Sequence, residues 1–432
     1  MSDTTTRRIA GAAFFLLALV AELLRIHHAD ALYAEDGKNF LADWMNRPAT
    51  SVLFSPYDGY QHFVPRLLSG MVVATVPVAH WGTAVAVLSC ITVAAICTLV
   101  LALSRDFVVF GPARLFLALI PILTPLTGLE AVGNVNNLHW YMSYLMLWVL
   151  LARPQSTAGR WLLALLATVA VLSEVQCLIF APLVGWLAVK ERRWGSDGPG
   201  RINALSGWVA GAVVQVTTYL VDRGRDRGGE FDSLWRGLKG YLVEAIGTSL
   251  YPTGRKLVPV VVSFGFAFVA IVGLGLCAAG IAAWRHGNRN IRAAVATAGF
   301  VSLTSWLASY YINEHDNYNA AFANPFDHSV PAVRWGTAAA MLMLTILPLS
   351  IEVLVRRMPR LRRLGAGLVL VLSVGLLATS AAGRLQVDRH RPWSEAVVEA
   401  TQECGANAVG YVNIPINPRY WVVAMPCSRL VP

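Results

Sequence analysis

The chain has 432 residues, of which 56% are hydrophobic and 14% are charged, and its mean hydropathy is +0.54. Soluble globular proteins carry about 25% charged residues, so this composition excludes an ordinary soluble protein and predicts an all-α polytopic membrane protein. The formal net charge is +10, but the basic residues stand in short runs between apolar segments. They indicate membrane topology, and no nucleic-acid partner is expected.

Apolar segments long enough to cross a bilayer, about 17 to 25 residues, recur from end to end of the chain. The first one follows the basic stretch Met1–Arg8 and has no small-residue cleavage site behind it, so we interpret it as a retained helix and not as a signal peptide. About eleven transmembrane helices are predicted, at 9–26, 82–103, 107–124, 138–153, 161–173, 176–190, 204–221, 257–284, 291–312, 335–355 and 364–382.

Lysine and arginine concentrate in every second loop, as the positive-inside rule expects of cytoplasmic loops. The N-terminus is therefore predicted inside and the C-terminal tail outside. Two segments need a special interpretation. A full crossing by Val64–Ala79 would reverse all later loops, so an interfacial or re-entrant helix is predicted there. The segment 161–190 is predicted as a hairpin with Ser173–Gln176 at its outer end. The basic loops carry Arg7 and Arg8; Arg105 and Arg114; Arg153 and Arg160; Lys190, Arg192, Arg193 and Arg201; Arg285, Arg289 and Arg292; and Arg356, Arg357, Arg360, Arg362 and Arg363.

This topology divides the chain into a transmembrane domain, 1–382, whose first outer loop is 27–81, and a small extracytoplasmic C-terminal segment, 383–432. Two of the six cysteines, Cys404 and Cys427, flank short strand-like runs in that segment. Because the segment is predicted to face an oxidising compartment, a disulfide between them is favoured over two thiols. The other four cysteines lie in apolar segments, which is typical of small buried hydrophobic residues.

The first outer loop carries two adjacent carboxylates, Glu35 and Asp36, where the chain leaves the membrane. Carboxylates beside hydrocarbon are costly unless they are paired or used, so this pair is the first candidate for chemistry. The amphipathic run Lys38–Asn46 follows and predicts a juxtamembrane helix. Taken alone, this pattern favours Asp36 as the N-cap of that helix, with a catalytic role as the alternative.

Later in the same loop, a turn and a helix start bring a histidine and an arginine together. His62 and Arg66 stand one helical turn apart, so both can face an anionic group. Tyr57 and Tyr60 precede them and are either ligand contacts or ordinary interfacial anchors. The pattern predicts an anion-binding wall at this end of the loop.

A second cluster of polar residues opens the helix after residue 133. Asn134, Asn137, His139 and Trp140 combine amides with an aromatic ring, which suits a hydroxyl-rich ligand. Helix capping by asparagine is the equal alternative. Glu174, at the outer end of the predicted hairpin, is either a further site carboxylate or a solvated turn residue.

Two loops late in the chain complete the candidates. Arg223 and Arg225 stand on the predicted outer side against the positive-inside pattern, and guanidinium groups at the headgroup level suit phosphate or pyrophosphate. The polar segments 313–319 and 324–328 predict either a mobile flap over the site or an ordinary long connection.

Together these features resemble the C-type (GT-C) superfamily of polyprenol-dependent integral membrane glycosyltransferases. The Glu35–Asp36 pair is similar to the acidic motif of that superfamily's first outer loop, although the frequent order there is Asp-Glu. The phrase 137–140, the Ser173–Glu174 pair and the tail with Trp393, Cys404 and Cys427 resemble an uncharacterised bacterial branch of the same superfamily. The preference for Ala, Val and Arg is typical of a GC-rich bacterium, so the bacterial cytoplasmic (inner) membrane is the expected location.

The resemblance implies an inverting transfer of a sugar from a polyprenyl-phosphate donor to a cell-envelope glycan or lipid acceptor, at the outer face of the membrane. Asp36 is the first choice for the general base, with Glu35 sharing or orienting that role. No nucleotide-binding fingerprint is present, which favours a lipid-linked donor. Some members of the superfamily need a divalent metal, but this chain shows no metal-ligand motif. The candidates for the donor phosphate are His62, Arg66, Arg223, Arg225 and Arg334.

Other classes of protein fit part of the pattern. A lipid-linked sugar flippase or other membrane transporter is the main alternative, but such proteins place charges at mid-membrane and often show internal repeats, which this sequence does not display. A membrane-bound acyltransferase would need a reactive inner histidine, and His286 stands in an ordinary basic loop. A structural envelope-assembly protein would lack converging acidic and basic groups.

Overall fold

The computed structural model describes residues 3–26, 28–125, 131–154, 156–189, 203–224, 234–250, 263, 265–312, 333–382, 391–405, 409–418 and 420–431. It is mostly helical (78%). The α-helices are α1 (Asp3–Leu23), α2 (Ala42–Asn46), α3 (Ala49–Val52), α4 (Phe63–Thr75), α5 (Trp81–Leu103), α6 (Gly111–Leu123), α7 (Leu138–Leu151), α8 (Thr157–Ser173), α9 (Ala181–Val189), α10 (Ala204–Val221), α11 (Leu234–Tyr241), α12 (Thr248–Leu250), α13 (Ala267–His286), α14 (Arg289–Ile312), α15 (Thr337–Leu344), α16 (Ile346–Arg357), α17 (Arg362–Ala382) and α18 (Trp393–Cys404).

Short π-helical and 3-10 segments connect several of these helices. The π-helical segments are Asp36–Leu41 and Leu242–Gly247, and the 3-10 segments are Val78–His80, Val175–Phe180, Val333–Gly336, Pro359–Leu361 and Cys427–Arg429. The first π-helical segment begins at the second residue of the acidic pair, and α2 follows it without a break. A helix is therefore present over this part of the first loop, as predicted.

Six helical segments in the described part of the chain are long and apolar enough to cross a membrane: Val78–Leu103, Ala204–Val221, Ala267–His286, Arg289–Ile312, Arg334–Arg357 and Pro359–Ser380. Helix α1 covers the first predicted span but is not among these six. Shorter apolar helices occupy Phe63–Thr75, Gly111–Leu123, Leu138–Leu151, Thr157–Ser173 and Val175–Val189. The predicted helical membrane protein is confirmed in this coarser form, whereas the count of about eleven spans is not. Residues 257–262, the start of one predicted span, lie outside the described residues.

Helices α8 and α10 pack closely and run in the same direction. A Cβ on Gly207 would overlap the backbone of Ala164, and one on Gly211 would lie 2.7 Å from the Cβ of Val171. The contacts advance together along both helices, so the chain must return between them. The reversal begins at Glu174, where the helical dihedrals of α8 end, as the predicted hairpin requires.

The C-terminal segment is a small unit of one helix and one hairpin. Strands β1 (Tyr411–Ile416) and β2 (Trp421–Pro426) pair antiparallel, and a disulfide joins Cys404 to Cys427. Both the strand-like runs and the predicted disulfide are confirmed. The strands alternate exposed and buried side chains, and their buried face closes on α18 and on the first loop.

Candidate functional site

The C-terminal segment packs against the part of the first loop that carries Glu35 and Asp36, here called the acidic loop. The amide of Asn417 donates to the carbonyl of Leu32 (3.1 Å), and the amide of Ala34 donates to the carbonyl of Asn417 (2.5 Å). A Cβ on Gly37 would lie 2.7 Å from a methyl of Val423. A residue with a side chain at position 37 would therefore push the hairpin away, so the glycine after the acidic pair allows the hairpin to pack there.

Asp36 is completely buried, and its hydrogen bonds connect the acidic loop to the turn at residues 134–137. Its Oδ1 accepts from the amide of Asn136 (2.8 Å) and its Oδ2 from the amide of Val135 (3.2 Å). Burial, reinforced by the charge of Glu35 and opposed by these amides, raises the pKa of Asp36 from 3.8 to about 8. The carboxylate binds a distant loop, so the prediction that it caps its own helix is wrong.

Glu35 faces the opposite way and lines a cavity. Its Oε2 accepts from Nδ2 of Asn136 (3.2 Å), and its Oε1 lies 3.8 Å from a guanidinium nitrogen of Arg334. The side chain of Glu35 is 10% exposed and that of Arg334 is 23% exposed. An anionic and a cationic group therefore lie side by side on one wall.

The cavity has a volume of about 140 Å³. Pockets for drug-sized ligands measure about 300 to 1,000 Å³, so this one suits a single small group such as a sugar ring. Its lining is rich in carboxylates, amides and aromatic rings. The lining residues are Glu35, Tyr57, Asp58, Tyr60, His62, Asn136, Asn137, His139, Trp140, Glu174, Val175, Gln176, Ala308, Ser309, Ile312, Arg334 and Trp335.

His139 and Glu174 form a buried acid–imidazole pair on the wall of this cavity. Nδ1 of His139 contacts Oε2 of Glu174 at short range. The other carboxylate oxygen, Oε1, accepts from the amide of Gln176 (2.8 Å). Because Glu174 fixes Nδ1, the imidazole orientation is set and its Nε2 is the nitrogen left to meet other groups.

Two polar atoms at the wall lack partners among the described residues. The indole Nε1 of Trp140 is a buried donor without an acceptor, and Oε1 of Gln176 is a buried acceptor without a donor. Nε2 of Gln176 donates to the hydroxyl of Ser309 (2.7 Å), which fixes the amide. A hydroxyl-rich ligand can satisfy both atoms, since a hydroxyl both donates and accepts.

His62 and Arg66 separate in the structure. Burial, with the nearby His139 and Arg66 contributing, lowers the pKa of His62 well below its ordinary value, so its imidazole meets the cavity in the neutral form. Its ring packs on that of Tyr60, with 4.1 Å between centroids. Arg66 does not line the cavity and binds Asp43 at 2.9 Å, with its guanidinium over Phe40. Arg66 is therefore a packing residue here.

The structure brings most predicted site residues to one place. The predicted residues that line the cavity are Glu35, Tyr60, His62, Asn137, His139, Trp140, Glu174 and Arg334.

The other predicted site residues do not line the cavity. Asp36 and Asn134 are buried beside it. Oδ1 of Asn134 accepts from the amide of Asn137 (2.9 Å), so its visible role is the predicted alternative, a local cap. Arg223 is exposed, and its backbone packs on Gly59 next to the cavity. Arg225 and the predicted flap at 313–319 and 324–328 lie outside the described residues.

The sequence did not assign several cavity residues to the site: Asp58, Asn136, Gln176, Ser309 and Trp335. Asn136 and Gln176 belong to the polar clusters around Asn134 and Glu174, so both could have been predicted from the sequence as site residues. Asp58 has a positive φ of 60° and precedes Gly59 at 89°, and this turn aims Tyr57 and Tyr60 at the cavity. The position of Ser309 on α14 follows only from tertiary packing.

Fold and site together define a helical membrane protein with a small polar cavity beside its first loop. No group of three potential metal ligands occurs within the described ranges. No protein-family profile matches the chain, and no curated protein and no solved structure matches it either.

Proposed function

We propose that the protein is a GT-C type glycosyltransferase. It transfers a sugar from a polyprenyl-phosphate donor to a hydroxyl of a cell-envelope glycan or lipid, at the outer face of the bacterial cytoplasmic membrane, with the N-terminus inside and the C-terminus outside. The observation that carries the proposal is the approach of Glu35 to Arg334, 3.8 Å apart, on the wall of a sugar-sized cavity.

The two groups suit the two charge changes of such a transfer. The acceptor oxygen attacks the anomeric carbon while the bond from that carbon to the phosphate oxygen breaks. Glu35 takes the acceptor proton as general base, and Arg334 stabilises the negative charge that develops on the departing phosphate. Trp140, Gln176 and Asn137 supply the aromatic and amide contacts for the sugar hydroxyls.

The geometry favours Glu35 over Asp36 as the base. A base must come within hydrogen-bond reach of the proton it removes, and Asp36 is fully buried with both oxygens on backbone amides. The pKa of about 8 also leaves Asp36 mostly protonated at neutral pH. Asp36 then has a positioning role, because it holds the 134–137 turn that presents Asn136 to Glu35.

The test is sugar transfer by membranes containing the intact protein, supplied with radiolabelled polyprenyl-phosphate sugars. We expect Glu35→Gln to lower the transfer rate by at least about 100-fold, because general-base catalysis typically contributes about 10² to 10⁴. Arg334→Gln should cause a comparable loss. Glu395→Gln, an exposed carboxylate in the first turn of α18, is the matched control and should retain full activity.

The variants also distinguish the two carboxylates. If Asp36→Asn abolished transfer while Glu35→Gln did not, Asp36 would be the base. Equal transfer by the wild type and both variants would remove the acidic pair from the mechanism. Thermal midpoints of all variants in detergent show whether a loss of transfer reflects a loss of folding.

A membrane transporter, such as a lipid-linked sugar flippase, is the alternative. The buried charges within the helical domain test this alternative. Glu22 and Arg25 form a 2.6 Å ion pair at the end of α1. Glu352 accepts from the amides of Val109 and Phe110 (3.1 and 2.7 Å), just before α6, and pairs with Arg356. These three buried charges have local structural partners, whereas a transporter requires substrate-facing charges near mid-membrane. Flux of a lipid-linked sugar without transfer would favour the transporter.

A further inference from the structure

A second cavity, the α9–α14 groove, lies apart from the polar site. It has a volume of about 460 Å³, and its lining includes Leu183, Trp186, Trp284, Arg289, Arg292, Ala296 and Phe300. The lining is largely apolar, and no carboxylate occurs among the described lining residues. Trp284 and Phe300 are about half exposed, at 53% and 49%, so the groove opens at the outer surface of the helical domain.

The charge of this groove is concentrated at one end. Arg289 and Arg292 stand in the first turn of α14, and Phe300 lies three turns further along, about 16 Å at 1.5 Å per residue. The guanidinium of Arg289 lies 5.1 Å from the ring of Trp186, and Nε of Arg292 donates to the carbonyl of Gly287 (3.0 Å). Both cations are therefore held at the mouth of an apolar channel.

We propose that the α9–α14 groove binds an anionic phospholipid. The headgroup phosphate meets Arg289 and Arg292, and an acyl chain lies along Leu183, Trp284 and Phe300. Guanidinium groups recognise phosphate oxygens through paired hydrogen bonds, and a basic pocket between membrane helices is suited to anionic headgroups. A free anion would leave the apolar length of the groove unused, and a choline headgroup would bring a further cation to the two guanidinium groups.

The proposal is tested by native mass spectrometry of the intact protein in detergent, titrated with phosphatidylglycerol or with phosphatidylcholine of equal chain length. We expect at least about tenfold tighter binding of phosphatidylglycerol. The double variant Arg289→Gln with Arg292→Gln should lose this preference. The matched control, Arg357→Gln with Arg360→Gln, removes two exposed charges from another basic segment and should retain it.

A second variant tests the apolar part of the groove. Ala296→Trp fills the channel without changing any charge, and it should weaken binding of both lipids about tenfold or more. Equal binding of the two lipids by the wild type would overturn the proposal. So would full displacement of phosphatidylglycerol by millimolar inorganic phosphate, which would indicate a simple anion site. Tighter binding of a polyprenyl phosphate than of phosphatidylglycerol would also overturn it, since the groove would then belong to that carrier.

Discussion

Glu35 and Asp36 are neighbours in the chain but occupy opposite environments. Asp36 begins a π-helical segment and Glu35 precedes it as the N-cap, so the two side chains leave the backbone in different directions. Both carboxylates accept hydrogen bonds from Asn136, but only Glu35 also lines the cavity. The sequence predicted that an acidic pair belongs to the site, but it could not tell which member meets a ligand, because that depends on the local helical phase.

At this scale the sharpest prediction concerns the pH dependence of stability. Folding raises the pKa of Asp36 from 3.8 to about 8, so the protonated form stabilises the fold. This contribution is complete below about pH 4 and is lost between about pH 4 and about pH 8, with a slope of up to about 1.4 kcal/mol per pH unit. The thermal midpoint in detergent should fall as the pH rises through that window.

The variant Asp36→Asn isolates this effect. It removes the titration, and its amide places a donor opposite the amide of Val135, so it should cost about 1 to 3 kcal/mol at pH 5 and flatten the pH dependence. Asp106→Asn, a 47% exposed carboxylate, should retain the wild-type slope. If Asp36→Asn and the wild type showed the same slope, Asp36 would not be the titrating group.

Among the structural elements, the C-terminal segment has the most specific role, because its helix α18 and its hairpin pack against the first loop. Trp393 binds the carbonyl of Val78 through its indole nitrogen (2.6 Å) and the carbonyl of Asp30 through its amide (2.8 Å). Lys38, at 4.9 Å, lies over the ring of Trp421. The sequence predicted the strands and the disulfide locally, but their packing on the first loop joins residues more than 300 positions apart and leaves no local pattern.

We therefore expect the disulfide to stabilise the site as well as the tail. Replacing Cys404 and Cys427 by serine removes a cross-link over 23 residues, which typically costs about 2 to 4 kcal/mol. Hydrogen exchange should speed up in β1 and β2, and also at the amides of Asn417 and Ala34, which donate across the contact between the tail and the first loop.

The response to reductant provides the control for that experiment. Dithiothreitol should lower the thermal midpoint of the wild type and have no effect on the double serine variant. Faster exchange confined to the tail, with the amide of Ala34 unchanged, would show that the hairpin does not support the acidic loop.

For the whole molecule, composition predicted the class, whereas the predicted count of about eleven spans is not confirmed. Helix α7 is apolar along most of its length and every one of its residues is buried in the protein, whereas the span Pro359–Ser380 is only 17% buried. A helix that is hydrophobic on all sides is either enclosed by other helices or faces lipid, and hydropathy cannot separate these cases. That His139 and Glu174 approach the acidic pair was predictable, because each stood at the break between apolar segments on the same predicted side.

The last prediction tests the orientation of the whole molecule with respect to the membrane. Arginine-rich segments favour the cytoplasm, so Arg360, exposed between α16 and α17, should lie inside, and Val398, 56% exposed on α18, should lie outside. In a Cys277→Ala background, which leaves three buried cysteines and the disulfide pair, an impermeant maleimide should label Val398→Cys in intact cells. It should label Arg360→Cys only after permeabilisation. The reverse pattern would place Glu35 and its cavity at the cytoplasmic face, where a transfer to outer-face acceptors could not occur.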